Sequence, residues 1–348
     1  MTELTARPWL AGLAPYSPGA KAASAAGSLS SNECALGASP HVVDAVLREV
    51  RDAHRYPDAL ATDLRAALAE RHAVPVDQVL VGNGSDELIF LLALAFLADG
   101  GTAVCAEPAY RVDEISTQVV GGAVVPVPLA GDRHDLRAMA GVDADIAYVV
   151  NPHNPTGTLV RREEIRRFRD RSPAGLVVVD EAYVDFAPDP AAASAVPLVA
   201  GGGLAVLRTF SKAHGLAGLR VGYLVAPADV IATLAGVRAP FSVNRLAQAA
   251  ALAALRDRTH HDAVRVHTID MRHRVTELFA LRGYDVVPSH ANFVLVRVPD
   301  ERGLVRRLSA AGIAIRPGSA LGVPGAVRVS VPGDDGWRRL ERALPAAG

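Results

Sequence analysis

Short, continuous apolar runs punctuate this chain at 78–81, 102–106, 123–129, 146–150, 176–179, 204–207 and 221–225, with helix-compatible segments between several of them. Runs that do not alternate with polar residues read as strands buried on both faces, as in a mostly parallel sheet wrapped by helices. Such a sheet binds its ligand beyond the carboxyl ends of its strands. The residues just after each run therefore carry the functional question. They are Glu107-Pro108-Ala109-Tyr110, Asn151-Pro152-His153-Asn154-Pro155-Thr156-Gly157, Asp180-Glu181-Ala182-Tyr183 and Thr209-Phe210-Ser211-Lys212. One sheet edge would gather an aromatic ring, an amide, a carboxylate, a hydroxyl and an amine.

The amine stands out because lysine is rare here: Lys21 is the other one in the chain, whereas arginine is abundant. Burial at a strand end would depress the Lys212 pKa, since the charged form loses hydration, and an amine so tuned forms a Schiff base with an aldehyde. On its own stretch Lys212 reads equally well as a solvated lysine beside a flexible turn. A second signal lies at Gly82-Asn83-Gly84-Ser85-Asp86-Glu87, where a glycine turn enters an apolar helix over 87–98. Backbone N–H groups at such a helix start favour a phosphate. Glu87 stands where a dinucleotide fingerprint needs its third glycine, and no GK[ST] follows, so the turn is neither a nucleotide fingerprint nor a Walker loop.

At 348 residues the chain is long for one core, which suggests two domains or a large one with a smaller one attached. Residues 1–38 read as an irregular N-terminal arm, and Tyr16 in its Pro-Tyr-Ser-Pro-Gly turn is either packing or pocket lining. Residues 39–240 form the large unit, opening on a helix capped by Ser39 with Pro40 in its first turn, followed by a second helix ending near His72. Residues 241–348 read as a smaller α+β domain: a long helical region over 244–281, a strand over 291–298, a helix over 301–311, short strands near Ile313 and over 327–331, and a last helix. Strand alternation turns Arg328 away from Val327 and Val329, towards either water or a cleft that then needs an anion. His260, His261, His267 and His273 lack the i, i+4 pair of a helical metal site and read as a solvated helix face. The stretch 189–203 reads as an irregular loop without chemistry.

A formal net charge of −1 with both signs interspersed gives no footprint for nucleic acid or an acidic membrane. Cys34 and Cys105 form neither a disulfide framework nor a metal spacing, which fits a reducing cytoplasm, and the longest apolar stretch, 88–98, is too short to span a bilayer. A small-molecule partner, no metal and a soluble protein are expected.

Taken in order, Arg55-Tyr56-Pro57-Asp58, the glycine turn at 82–87, Asn151 to Gly157, Asp180-Glu181-Ala182-Tyr183, Ser211-Lys212 with Gly218-Leu219-Arg220-Val221-Gly222, and Asn292-Phe293 make the chain resemble the pyridoxal-phosphate aminotransferases of fold type I. The similarity is greatest to the histidinol-phosphate aminotransferase branch and its aromatic aminotransferase relatives. It implies an α/β large domain with a mostly parallel seven-stranded sheet, a small domain built from both chain ends, and a homodimer with shared active sites. It further implies that Lys212 carries pyridoxal 5'-phosphate and shuttles a proton, that Asp180 pairs with the ring nitrogen, and that Tyr110 stacks on the ring. Asn154 and Tyr183 would bond the ring hydroxyl. Ser85, Asp86, Ser211 and Arg220, with Tyr56 from the other subunit, would hold the phosphate. Arg328 and Arg316 would bind the substrate anion, and Tyr16 would line the pocket.

One departure is visible. The family commonly shows Asn-Glu-x-Pro near the N-terminus, and this chain reads Asn32-Glu33-Cys34-Ala35. The resemblance places that segment beside the substrate, where small contact changes redirect specificity. Transamination of L-histidinol phosphate with 2-oxoglutarate is the expected reaction, an aromatic amino acid such as phenylalanine the alternative donor. A pyridoxal-phosphate decarboxylase or lyase is the alternative of another class.

Overall fold

The computed structural model describes residues 5–13 and 17–347. Tyr16 lies outside the described residues. In chain order the N-terminal part comprises β1 (Ser28–Leu29), α1 (Pro40–Glu49), α2 (Thr62–His72), β2 (Val79–Gly82), α3 (Gly84–Phe96), β3 (Thr102–Glu107), α4 (Arg111–Val119) and β4 (Ala123–Pro128). The middle comprises α5 (Leu136–Met139), β5 (Ile146–Val150), α6 (Arg162–Arg171), β6 (Leu176–Asp180), α7 (Pro190–Ala193), β7 (Leu204–Thr209), β8 (Gly222–Val225) and α8 (Ala228–Val237). The remainder is α9 (Arg245–Arg256), α10 (Arg258–Leu281), β9 (Asp285–Val287), β10 (Phe293–Arg297), α11 (Glu301–Ala310), β11 (Ala314–Pro317), β12 (Ala326–Ser330) and α12 (Asp334–Ala343).

The seven apolar runs become one seven-stranded sheet, ordered β2-β8-β7-β6-β5-β3-β4. Strands β2, β5, β6, β7 and β8 are buried along their whole length, as unalternating runs require. The sheet is parallel except at β8, which runs antiparallel to both neighbours. Helix α9 packs its alanine-rich face with α1 and α2 over one side of this sheet, and α3 covers the other.

A second sheet of five strands, ordered β1-β11-β12-β10-β9, has its own apolar layer against α10, α11 and α12. The N-terminal arm contributes β1, which pairs in parallel with β11. Strand β12 lies between β11 and β10, so Arg328 is no edge residue in water; it is buried directly across from Arg316.

Ser39 caps α1 as expected, its hydroxyl accepting from His41 N–H at 3.1 Å. Four details differ from the sequence reading. Helix α3 starts at Gly84 rather than 87, which brings Ser85 and Asp86 into its first turn. The region 244–281 is two helices, because Asp257 leaves helical geometry and caps α10 through His260 N–H. The histidines of α10 are not a solvated face: only His273 is exposed, while His260 and His267 bond the carbonyls of Gly37 and Pro332 and His261 faces Asp185. The stretch 189–203 is helical in part, and Ser194 within it bonds Glu181.

Candidate active site

The parallel strands deliver their following residues to one edge, and β8 adds to the same edge by running the other way. Arg220 precedes β8, yet it arrives beside residues that follow β5, β6 and β7. It sits at φ +55°, a left-handed turn that ends the short 3-10 segment Ala217–Leu219. A cavity of about 200 Å³ opens there, lined among others by Ser85, Asp86, Tyr110, Asn154, Asp180, Tyr183, Ser211, Lys212 and Arg220 from the large sheet's side. Arg316 and Arg328 enter it from the five-stranded sheet.

The glycine turn is held open by close backbone approach. Gly84 sits at φ +80°, and a Cβ there would meet the Arg220 guanidinium at 2.5 Å; a Cβ on Gly222 would meet Ser85 N at 2.6 Å. The first-turn amides of α3 and Arg220 therefore share one small anion-sized recess. Asp86 organises its rim, accepting from Arg220 Nη2 and from the Tyr110 hydroxyl, both at 3.0 Å.

Asp180, at the end of β6, is buried and accepts the Ala182 N–H at 2.9 Å. Burial first of all, with Asp86 and Glu181 adding repulsion, pushes its carboxyl up to about 7. A carboxylate so placed is stabilised by a cation meeting it inside the cavity. Lys212 is half-buried, its Nζ 3.3 Å from the carbonyl of Ser31. Burial, then the nearby Arg328, lowers its amine to about 8, within reach of the neutral form that attacks carbonyl carbon.

Arg328 is tied at 2.6 Å to Asn154 Oδ1 and at 2.9 Å to Ser30 O, with its guanidinium over the Phe293 ring. Arg316 bonds Ser17 O at 2.6 Å. Tyr183 packs edge-on against Phe293 and accepts from Asn32 Nδ2 at 3.1 Å.

Of the residues picked from sequence, Tyr56 does not enter this cavity. It is 78% exposed and stacks on Phe241 at 4.7 Å between ring centres. Ala35, which stands where Asn-Glu-x-Pro has its proline, is exposed and absent from the lining, while its neighbour Cys34 packs beside the cluster of Tyr183, Phe186 and Phe293. The sequence reading missed Ser30, Ser31, Asn32 and Arg111, all on the cavity wall. A signal existed for Asn32, which heads the Asn-Glu pair, but nothing local shows that the arm folds back onto the sheet edge.

The fold and the converging amine, carboxylate and phosphate-sized recess define a fold type I pyridoxal-phosphate enzyme, and the chain belongs to the aminotransferase class I and II family, whose model matches residues 27–340. It is a pyridoxal-phosphate-dependent aminotransferase. A histidinol-phosphate aminotransferase of Brevibacillus brevis is 37% identical over 309 residues, 87% of this chain and 85% of that protein. An aromatic amino acid aminotransferase of Thermobifida fusca is 39% identical over 342 residues, covering 95% of this chain and 94% of the relative. The crystal structure of histidinol-phosphate aminotransferase from Sinorhizobium meliloti in complex with pyridoxal-5'-phosphate superposes with a TM-score of 0.90 at 30% identity, covering 99% of this chain and 97% of that one.

Proposed function

We propose that this aminotransferase takes L-histidinol phosphate as amino donor and 2-oxoglutarate as acceptor. The observation that carries the reading is a pair of separate cationic groupings on one cavity: Arg220 at the glycine turn, and Arg316 with Arg328 from the five-stranded sheet. The first suits the phosphate of the cofactor and the second the anion of a substrate, since a planar guanidinium matches phosphate and carboxylate alike. The names of the relatives from Brevibacillus and Sinorhizobium point to the same donor.

The residues present fit the cofactor. The recess formed by Gly84, Ser85, Ser211 and Arg220 suits its phosphate, and buried Asp180 suits a protonated ring nitrogen. When bound, pyridoxal phosphate supplies an aldehyde for the substrate's amine and an electron-withdrawing ring for its Cα. Asp180 keeps the ring nitrogen protonated by ion pairing. Tyr110 offers a ring face, while Asn154 and Tyr183 orient the ring through its oxygen substituent. Lys212 would hold the cofactor, and its amine would carry a proton at the substrate Cα. Asp86 keeps Arg220 and Tyr110 in place at the rim.

We further infer a cytoplasmic homodimer. Its support is exposed Tyr56, stacked on Phe241 and free to reach a partner's phosphate site, with the exposed Leu60 four residues on, and two free thiols, Cys34 and Cys105. Among the described residues no helix is long and apolar enough to cross a membrane. We propose domains over 39–240 and 241–348 with the arm 1–38 joined to the second, and α9, at the start of the second span, bridges them by packing with α1 and α2 on the larger sheet.

The test is a titration of the loaded protein followed by its visible absorbance. L-histidinol phosphate at low concentration should discharge the band, and L-histidinol, lacking the phosphate, should need far more. A band discharged by L-phenylalanine alone makes the protein an aromatic aminotransferase, as the Thermobifida relative is named. Release of carbon dioxide without a keto acid makes it a decarboxylase.

A further inference from the structure

Three consecutive arm residues each address a different residue of the site. Ser30 O accepts from Arg328 Nη2 at 2.9 Å, Ser31 O lies 3.3 Å from Lys212 Nζ, and Asn32 Nδ2 donates to the Tyr183 hydroxyl at 3.1 Å. Asn32 anchors this strap. It is fully buried and sits at φ +56°, where asparagine is among the few side-chain-bearing residues at ease. Its amide has one consistent orientation. Ser330 Oγ accepts the Asn32 backbone N–H at 2.9 Å, so its own proton goes to Asn32 Oδ1 at 3.0 Å, which leaves Nδ2 facing Tyr183. Asn292 Nδ2 closes the network on Asn32 O at 3.0 Å.

A phenol oxygen that accepts from Asn32 must send its own proton elsewhere, and the cavity is where the Tyr183 side chain opens. We propose that Asn32 is a positioning residue for transamination: by donating to Tyr183 it directs the Tyr183 hydroxyl into the cavity, towards the oxygen substituent of the cofactor ring. The inference deepens the assignment of Tyr183 as a cofactor-orienting residue and rests on it. Removing the amide frees Tyr183 to turn away, and negative charge on the ring oxygen then loses a donor. With the cofactor bound, that charge would hold a proton at the Lys212 nitrogen more tightly, so the visible band of the loaded protein would titrate at higher pH. The charged groups facing Lys212 are Arg328, Asp86, Glu33, Arg220 and Asp180, and those facing Tyr183 are Arg328, Asp180, Asp86 and Lys212, whose Nζ lies 5.7 Å from the ring centre. All of them stay in place in the variants.

The experiment compares pyridoxal-phosphate-loaded wild type, Asn32→Gly, Tyr183→Phe and the double variant. The readouts are the pH midpoint of the visible band, the cofactor dissociation constant from fluorescence, and melting temperature. Glycine keeps the left-handed backbone while removing the amide. Each single change should raise the midpoint by about half to one pH unit and weaken cofactor binding about tenfold, the scale of one hydrogen bond. The double variant should match Tyr183→Phe alone, because Asn32 acts through Tyr183. A midpoint moved by Tyr183→Phe but not by Asn32→Gly overturns the role of Asn32, even if its melting temperature falls. A midpoint that Tyr183→Phe leaves unmoved overturns the Tyr183 assignment and this inference with it. Should Asn32→Gly not fold, Ser330→Ala releases the same amide; it should shift the midpoint in the same direction by less, and an unmoved midpoint counts equally against the proposal.

Discussion

Single residues here carry consequences set by burial. Borohydride reduction of the loaded protein should fix the cofactor on Lys212, read by peptide mass, and Lys212→Ala should lose turnover by at least about a thousandfold because it removes both attachment point and proton carrier. Arg328→Lys should raise the Michaelis constant for a phosphate-bearing donor by about a hundredfold in steady-state kinetics. A point charge cannot keep the fork that bonds Asn154 and Ser30 while meeting an anion. Asp180 gives a pH signature. Its folded carboxyl titrates at about 7, above the ordinary carboxylate value, so the folded protein binds the proton more tightly than the unfolded chain does. Its contribution to stability is full below about pH 4 and lost as pH rises to about 7. Cofactor-free wild type should therefore lose more stability across that window than Asp180→Asn, measured by urea midpoints. Added pyridoxal phosphate should flatten the difference in slope by supplying a cationic partner.

At the scale of elements, the central strands are locked from below the site as well as by their apolar faces. Arg208 on β7 donates to Glu181 Oε2 at 2.7 Å and to Ser194 Oγ at 3.0 Å, and Glu181 also accepts from Ser194 and from Ala195 N–H. Both ionic side chains are nearly inaccessible. Arg208→Leu leaves a buried carboxylate without its cation and should cost about 3–5 kcal/mol. Arg208→Leu combined with Glu181→Leu should cost less than Arg208→Leu alone, seen in the same urea unfolding series. The strands themselves were legible in sequence because a run buried on both faces cannot alternate. The start of α3 was not, because Gly84 and Ser85 look like loop residues until their amides are seen to open the helix. The histidines of α10 misread for a related reason: periodicity shows which face is apolar, while Gly37, Pro332 and Asp185 come from distant parts of the chain to meet the polar side.

The whole molecule adds what no single sheet holds, a cavity walled by both. If Tyr56 serves the partner's phosphate site, mixed refolding of Tyr56→Ala with Lys212→Ala should restore activity that neither variant has. Random pairing makes half the dimers hybrid, each with one intact site, so recovery should approach about a quarter of wild type. A dilution series in the ultracentrifuge should show the dimer that this requires. By itself the sequence determined the parallel sheet, the anion turn and the residues after each strand, because apolar continuity, glycine geometry and strand polarity are local properties. Tertiary structure alone decided that Arg220 joins the site from an antiparallel strand, that Arg328 is buried opposite Arg316, and that Ser30, Ser31 and Asn32 reach across to Arg328, Lys212 and Tyr183. Those contacts join residues as many as 298 positions apart, and only chain closure, which pays its entropy to bury the second sheet against its helices, brings them within hydrogen-bonding distance.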